Sequence, residues 1–154
     1  LILTDSGIRV IEFNARFGDP ETQVVLPRLA TPLSSLLFAA ASGTLDEADA
    51  PRFALDTAVT VVLASEGYPE APQTGRVITG LDAASAVDGV HIAHAATTQR
   101  GDELVASGGR VLSVVAVGTT FAESVERAYR AIGEIGLDGS HYRSDIAARV
   151  IEGN

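Results

Sequence analysis

Apolar and polar positions change their period three times along this chain, and the changes predict its elements. Leu1 to Thr4 and Ile8 to Asn14 are apolar-rich and joined by Asp5-Ser6-Gly7, the polar and glycine chemistry of a tight hairpin, so two antiparallel strands are expected. Strand side chains alternate between faces, which puts Glu12, Asn14 and Arg16 on one face and Ile11, Phe13 and Ala15 on the other. Gly18-Asp19-Pro20-Glu21 then reads as a helix start. Asp19 can cap it, Pro20 suits the first helical position and Glu21 complements the positive helix end; the helix is expected to reach about Leu29. Pro32 opens a second helix, with Leu33, Leu36, Leu37 and Ala40 at helical spacing and an end near Gly43.

The acidic, proline-containing stretch from Asp46 to Pro51 predicts a surface connection and the best internal boundary, between a unit over residues 1–50 and one over 51–154. Beyond Phe53 the pattern is mostly that of strands, at 58–65, 90–97, 104–105 and 111–118, with turn residues between them. Helical spacing returns over 121–135, where Val125, Ala128, Tyr129 and Ile132 share a face that should cover the sheet, with charged residues elsewhere. A short last helix is expected from Ser144 to Val150, capped by Ser144 with Asp145 in its first turn. The class is therefore α+β, antiparallel strands and helices followed by a sheet-rich region with a covering helix.

Composition narrows the partners. At 154 residues the chain suits one compact unit, and its longest apolar stretches, 58–64 and 111–118, fall far short of a bilayer span, so no membrane is expected. A net charge of −9 without a single lysine argues against nucleic-acid binding by bulk electrostatics; any phosphate must be met locally. The absence of cysteine excludes disulfides and thiolate metal sites, and with no cationic, apolar leader the cytoplasm is the expected location. No methionine occurs, even at position 1, so the chain is expected to have lost an upstream part.

The candidate chemistry lies on the second strand. A carboxylate and an amide oxygen two residues apart can converge on one hard cation, which suits Glu12 and Asn14 to a metal whose shell is completed by substrate phosphates. Arg16, one step on, could meet phosphate oxygens with its guanidinium fork and offset charge transferred in a reaction. Taken alone, Glu-x-Asn-x-Arg is the ordinary wet face of an antiparallel strand. The longer string EFNARFGDPETQ, Glu12 to Gln23, resembles the carboxy-terminal strand and loop of the ATP-grasp ligases, in the form carried by the phosphoribosylamine–glycine ligase family. TVVLASEGYP (60–69), GGRVLSVVAVG (108–118), AYRAIGEI (128–135) and YRSDIA (142–147) are similar to later segments of that family in the same order. One departure is Ala96, where a glycine is expected before Thr97.

The resemblance implies the end of an ATP-grasp fold followed by a carboxy-terminal domain, and an enzyme that spends ATP to join glycine to 5-phosphoribosylamine. It implies Glu12 and Asn14 as ligands of Mg²⁺ or Mn²⁺, Arg16 as the catalytic and substrate-binding guanidinium, and Gly18, Asp19, Pro20 and Glu21 as the lining where phosphoribosylamine and glycine meet. The chain alone is expected to be inactive, since it lacks the lysines and glycine-rich phosphate lid of that fold. Two other readings stand beside this one: a different purine-pathway ligase with the same metal strand, and a non-catalytic binding module. His91 and His94, three apart on an expected strand, point to opposite faces and should not chelate one ion. Gly108-Gly109-Arg110 reads as a hairpin turn rather than a phosphate cradle, and Tyr142 to Asp145 as capping and surface pairing.

Overall fold

The computed structural model describes residues 1–13 and 15–153. The expected hairpin opens the chain as β1 (Ile2–Thr4) and β2 (Gly7–Arg9), with Gly7 inside the second strand and facing Thr4 across the turn. Gly7, at φ 100°, occupies a backbone region closed to most side chains, which explains the glycine. The second strand is much shorter than expected: it ends at Arg9, so Glu12 lies beyond the ladder and the face alternation proposed for Glu12 and Arg16 does not place them. The hairpin leaves Leu1, Leu3, Ile8, Ile11 and Phe13 exposed, Phe13 by 89%.

The helix expected from Pro20 to Leu29 is divided into α1 (Thr22–Val25) and a 3-10 turn over Leu26–Arg28. Pro27 has no N–H to return to Gln23, so an α-helix cannot run through it unbroken. α2 (Leu33–Ser42) follows Pro32 and stops at Gly43 in the left-handed conformation, as its sequence implied. Its inner face differs by one position: Leu33, Leu36 and Ala39 turn inward while Leu37, Phe38 and Ala40 are exposed. Residues 46–51 form an exposed connection, beginning in a 3-10 turn over Leu45–Glu47.

The centre is a three-stranded antiparallel sheet in the order β3 (Thr57–Ala64), β7 (Arg110–Gly118), β4 (Val90–His94). Val59, Val61 and Leu63 of β3 sit opposite Ala116, Val114 and Leu112 of β7. This face packs on Ala128, Ala131 and Ile132 of α4 (Phe121–Gly133), and all these side chains are essentially excluded from water. At about 25 cal/mol per Å² of apolar surface, this layer is the main source of stability. The cover helix is fastened at its start: Thr120 Oγ1 accepts from Glu123 N at 3.2 Å, and Glu123 Oε2 accepts from Thr119 N and Thr119 Oγ1, both at 2.7 Å. The opposite face of the sheet, with buried Ser113 and Val115 on β7, receives α1 and its 3-10 turn, which approach β3 and β7.

The strand expected over 90–97 bends at Ala95-Ala96 and becomes two. β4 stays with β7, whereas β5 (Thr97–Arg100) pairs with β6 (Glu103–Ala106) in a separate two-stranded sheet. Gly108-Gly109 is accordingly not a hairpin turn but the matching corner on the partner strand. Ala96 N donates to Arg110 O and Ser107 N to Ala96 O, and a methyl at Gly108 would lie 3.0 Å from that of Ala96. A short helix not expected from the sequence, α3 (Leu81–Ser85), buries Ala84 in the core. The last helix starts later than expected, at Ala148 rather than Ser144: α5 spans Ala148–Glu152, and Ser144 does not cap it. Asp145 instead accepts from Arg143 at 2.6 and 2.8 Å, which holds its carboxyl below the usual carboxylate range and raises the arginine. The surface pairing expected there is thus present.

Candidate active-site cleft

One open cleft of about 400 Å³ is lined by Glu12, Arg16, Gly18, Asp19, Glu21 and Arg110. Five of these are residues singled out in the sequence. They meet although no strand carries them: Glu12 and Arg16 both lie beyond the end of β2 at Arg9, and the chain turns at 18–21 ahead of α1. Asn14 lies outside the described residues. Pro20 is in the turn but does not line the cleft. Arg16 is exposed and its Nη1 donates to Phe17 O at 2.7 Å.

Gly18 is required by the close return of the chain. A Cβ there would lie 2.5 Å from Glu21 Oε2 and 2.9 Å from Glu21 Cβ, while Gly18 O accepts from Thr22 N at 3.2 Å. The turn therefore folds the Glu21 side chain back over position 18. Asp19 does not cap the helix. Its Oδ1 accepts from Gln23 Nε2 at 3.1 Å, its Oδ2 from Arg110 Nη2 at 2.9 Å, and its backbone oxygen from Arg110 Nη1 at 3.2 Å. The residue at the helix cap is Glu21, with no side-chain cap bond. A long-range partner has displaced the local one, because a guanidinium fork offers Asp19 two donors and a charge where a backbone amide offers one donor.

Arg110 is the site residue that sequence reasoning missed. Regular alternation would give it the same face as Leu112 and Val114, toward α4. A bulge prevents this: β3 and β7 shift register after Leu63–Leu112, so that Ala64 faces Arg110, and adjacent Val111 and Leu112 both join the core. The parity change lets Arg110 reach the turn at 18–21. A lone charged residue at the head of a nine-residue strand that is otherwise uncharged and largely apolar was the available signal.

The cleft thus carries three carboxylates and two guanidiniums, a mixed polar surface whose arginines can meet anionic oxygens; among the described residues no three acidic or histidine side chains are grouped as a metal cluster would be. The histidines stand apart from it. His94 Nδ1 bonds Thr97 Oγ1 at 3.1 Å, His91 is exposed on β4, and His141 exchanges backbone hydrogen bonds with Ala64.

Similarity to known proteins places this antiparallel sheet under its cover helix, with the polar turn beside it, among the carboxy-terminal regions of ATP-grasp ligases. The profile described as "Phosphoribosylglycinamide synthetase, C domain" matches residues 58–149. The chain belongs to that family. It is 67% identical over 153 residues to the phosphoribosylamine–glycine ligase of Leifsonia xyli subsp. xyli and 57% identical over 151 residues to that of Streptomyces coelicolor. Each alignment takes in 97% of this chain and 36% of the relative, so the chain spans about a third of the length of the curated relatives it matches. The crystal structure of a phosphoribosylamine–glycine ligase from Thermotoga maritima superposes with a TM-score of 0.75 at 33% identity, covering 94% of this chain and 34% of that one. Among the described residues no helix is long and apolar enough to cross a membrane.

Proposed function

We propose that this chain forms one wall of the active site of a phosphoribosylamine–glycine ligase, a cytoplasmic carbon–nitrogen ligase of purine synthesis. In this reading residues 1–50 close the nucleotide-binding fold and 51–154 form the sheet-rich domain behind it. The observation that carries the reading is the convergence of Glu12, Arg16, Gly18, Asp19 and Glu21 on one polar cleft. The relatives' names supply the reaction class.

ATP would phosphorylate the carboxylate of glycine to an acyl phosphate, releasing ADP. The amine of 5-phosphoribosylamine would then attack the acyl carbon, and phosphate would leave as the amide forms. Such chemistry needs placement and cancellation of negative charge more than covalent help. Arg16 offers its guanidinium to the transferred phosphoryl oxygens, and the turn at 18–21, with Pro20 setting its backbone, lines the side where glycine and the amine meet. Glu12 and Asn14 bring a carboxylate and an amide oxygen, neither thiolate nor imidazole, the donor chemistry that suits Mg²⁺ or Mn²⁺. Glu12 would hold the ion together with Asn14. When bound, the ion would neutralise charge on the phosphates. The exposed apolar hairpin is the surface on which the remainder of a longer ligase would pack.

The test is ADP release by the intact protein containing this chain, with ATP, Mg²⁺ and phosphoribosylamine present, compared between glycine and other small carboxylates. Release that depends on glycine is expected; release with another carboxylate and none with glycine would overturn the reading. The 154-residue chain alone is expected to release no ADP, having no lysine to steady the nucleotide phosphates.

A further inference from the structure

We propose that Arg110 is a positioning residue for this reaction: from the sheet, it holds the turn at 18–21 in place along the cleft through Asp19. The inference rests on the reading of the cleft as an active-site wall and adds a residue that the motif Glu12 to Gln23 does not contain. Three observations carry it. Arg110 grips Asp19 at two atoms, side-chain Oδ2 at 2.9 Å and backbone oxygen at 3.2 Å, so it constrains the course of the main chain as well as a carboxylate. The residues are 91 positions apart, and Arg110 lines the cleft itself. Its own position is stiff: the bulge after Leu63–Leu112 aims it, and buried Ser65 anchors the two residues before it, with Ser65 Oγ donating to Gly108 O and Ser65 N to Gly109 O, both at 2.8 Å.

A side chain used merely to pin a surface loop would need only one contact. Here a fork on a rigid strand meets a turn whose neighbouring residues, Gly18 and Glu21, face the same cleft. Asp19 also takes Gln23 Nε2 on its other oxygen, so the guanidinium, the carboxylate and the first turn of α1 form one continuous strut from sheet to cleft. Displacement of reacting groups by about 1 Å can cost up to about a hundredfold in rate, so such a strut matters for placement far more than for stability.

The experiment compares Arg110→Met, Arg110→Lys, Asp19→Asn and the Arg110→Met/Asp19→Asn double variant in the intact protein, by steady-state kinetics and by amide hydrogen exchange over residues 22–25. Arg110→Met and Asp19→Asn should each raise KM for glycine or phosphoribosylamine by about tenfold, leave KM for ATP within about twofold, and speed exchange; the double variant should be no worse than either single one. Lysine, which can reach Oδ2 but lacks the fork, should restore only part of the loss. Additive losses in the double variant would mean that Arg110 acts on substrate independently of Asp19, and would overturn the proposal. So would unchanged KM values with kcat falling in step with the melting temperature, the mark of a purely structural contact. Should the wild-type protein show no glycine-dependent ADP release, the proposed function falls by itself. The strut then stands on equal acceleration of exchange in the single and double variants, and falls if exchange is unchanged.

Discussion

Gly109→Ala tests how firmly the corner beside Arg110 is built. The Cδ2 edge of the Tyr68 ring lies against Gly109, and an ideal Cβ there would overlap Cδ2 and crowd Cε2 and Cγ. The backbone is held on both sides, Gly109 O by Ser65 N at 2.8 Å and Tyr68 N by Ser65 O at 3.2 Å, so relief requires the half-buried Tyr68 ring to swing out of its place. Overpacking of this kind costs about 1–3 kcal/mol. Near the middle of that range the folded-to-unfolded ratio falls by a factor of about 30, and the melting temperature by about 4–8 °C for a domain of this size. Urea titrations followed by circular dichroism would measure the loss. The added methyl should also disturb Arg110 and so weaken the hold on Asp19. Removing the ring relieves the clash, so Tyr68→Ala combined with Gly109→Ala should be more stable than the sum of the single losses by about 1 kcal/mol or more. Gly108→Ala is the contrast, since its methyl meets only that of Ala96, at 3.0 Å. A Gly109→Ala protein with wild-type stability, or a double variant whose losses simply add, would refute the account of this corner.

Three further outcomes concern the sheet, its cover helix and the loop before β3. Ile132→Ala removes three carbons from a side chain 2% exposed between α4 and the sheet, and should destabilise by about 3–4 kcal/mol in the same titrations; Leu55→Ala, at 98% exposure, should change stability by less than about 0.5 kcal/mol. Glu123, whose carboxyl is held below its ordinary value first by the Thr119 hydroxyl and then by the Thr119 amide, binds a proton less readily folded than unfolded. Its contribution is therefore complete above the unfolded carboxylate range and lost as pH falls through the folded value, so the stability gap between wild type and Glu123→Gln should be widest near neutrality and close in acid.

Much of the fold was legible because its cues are local. The apolar runs of β3 and β7 bounded by turn residues, the 3.6-residue spacing in α4, and Gly43 after α2 each depend on neighbours within a few positions. The elements that were misjudged failed for nameable reasons. Pro27 divided a helix whose apolar spacing ran straight through it, α3 was too short to show a period, and Arg143 took Asp145 away from the start of α5. For the candidate site, the sequence motif supplied Glu12, Arg16, Gly18, Asp19 and Glu21 as a group, although for the first two it proposed a strand face that the structure does not have.

The sequence by itself determined that these residues are neighbours and that their chemistry suits phosphate and a hard cation, since composition and spacing travel with the chain. Only the tertiary structure decided that Asp19 answers to Arg110 rather than to its own helix. That choice depends on a bulge between β3 and β7, which reverses the parity of one residue and brings a guanidinium across 91 positions of chain. A contact of that span leaves no periodic trace in the sequence, because it is set by strand register and not by the identity of nearby residues.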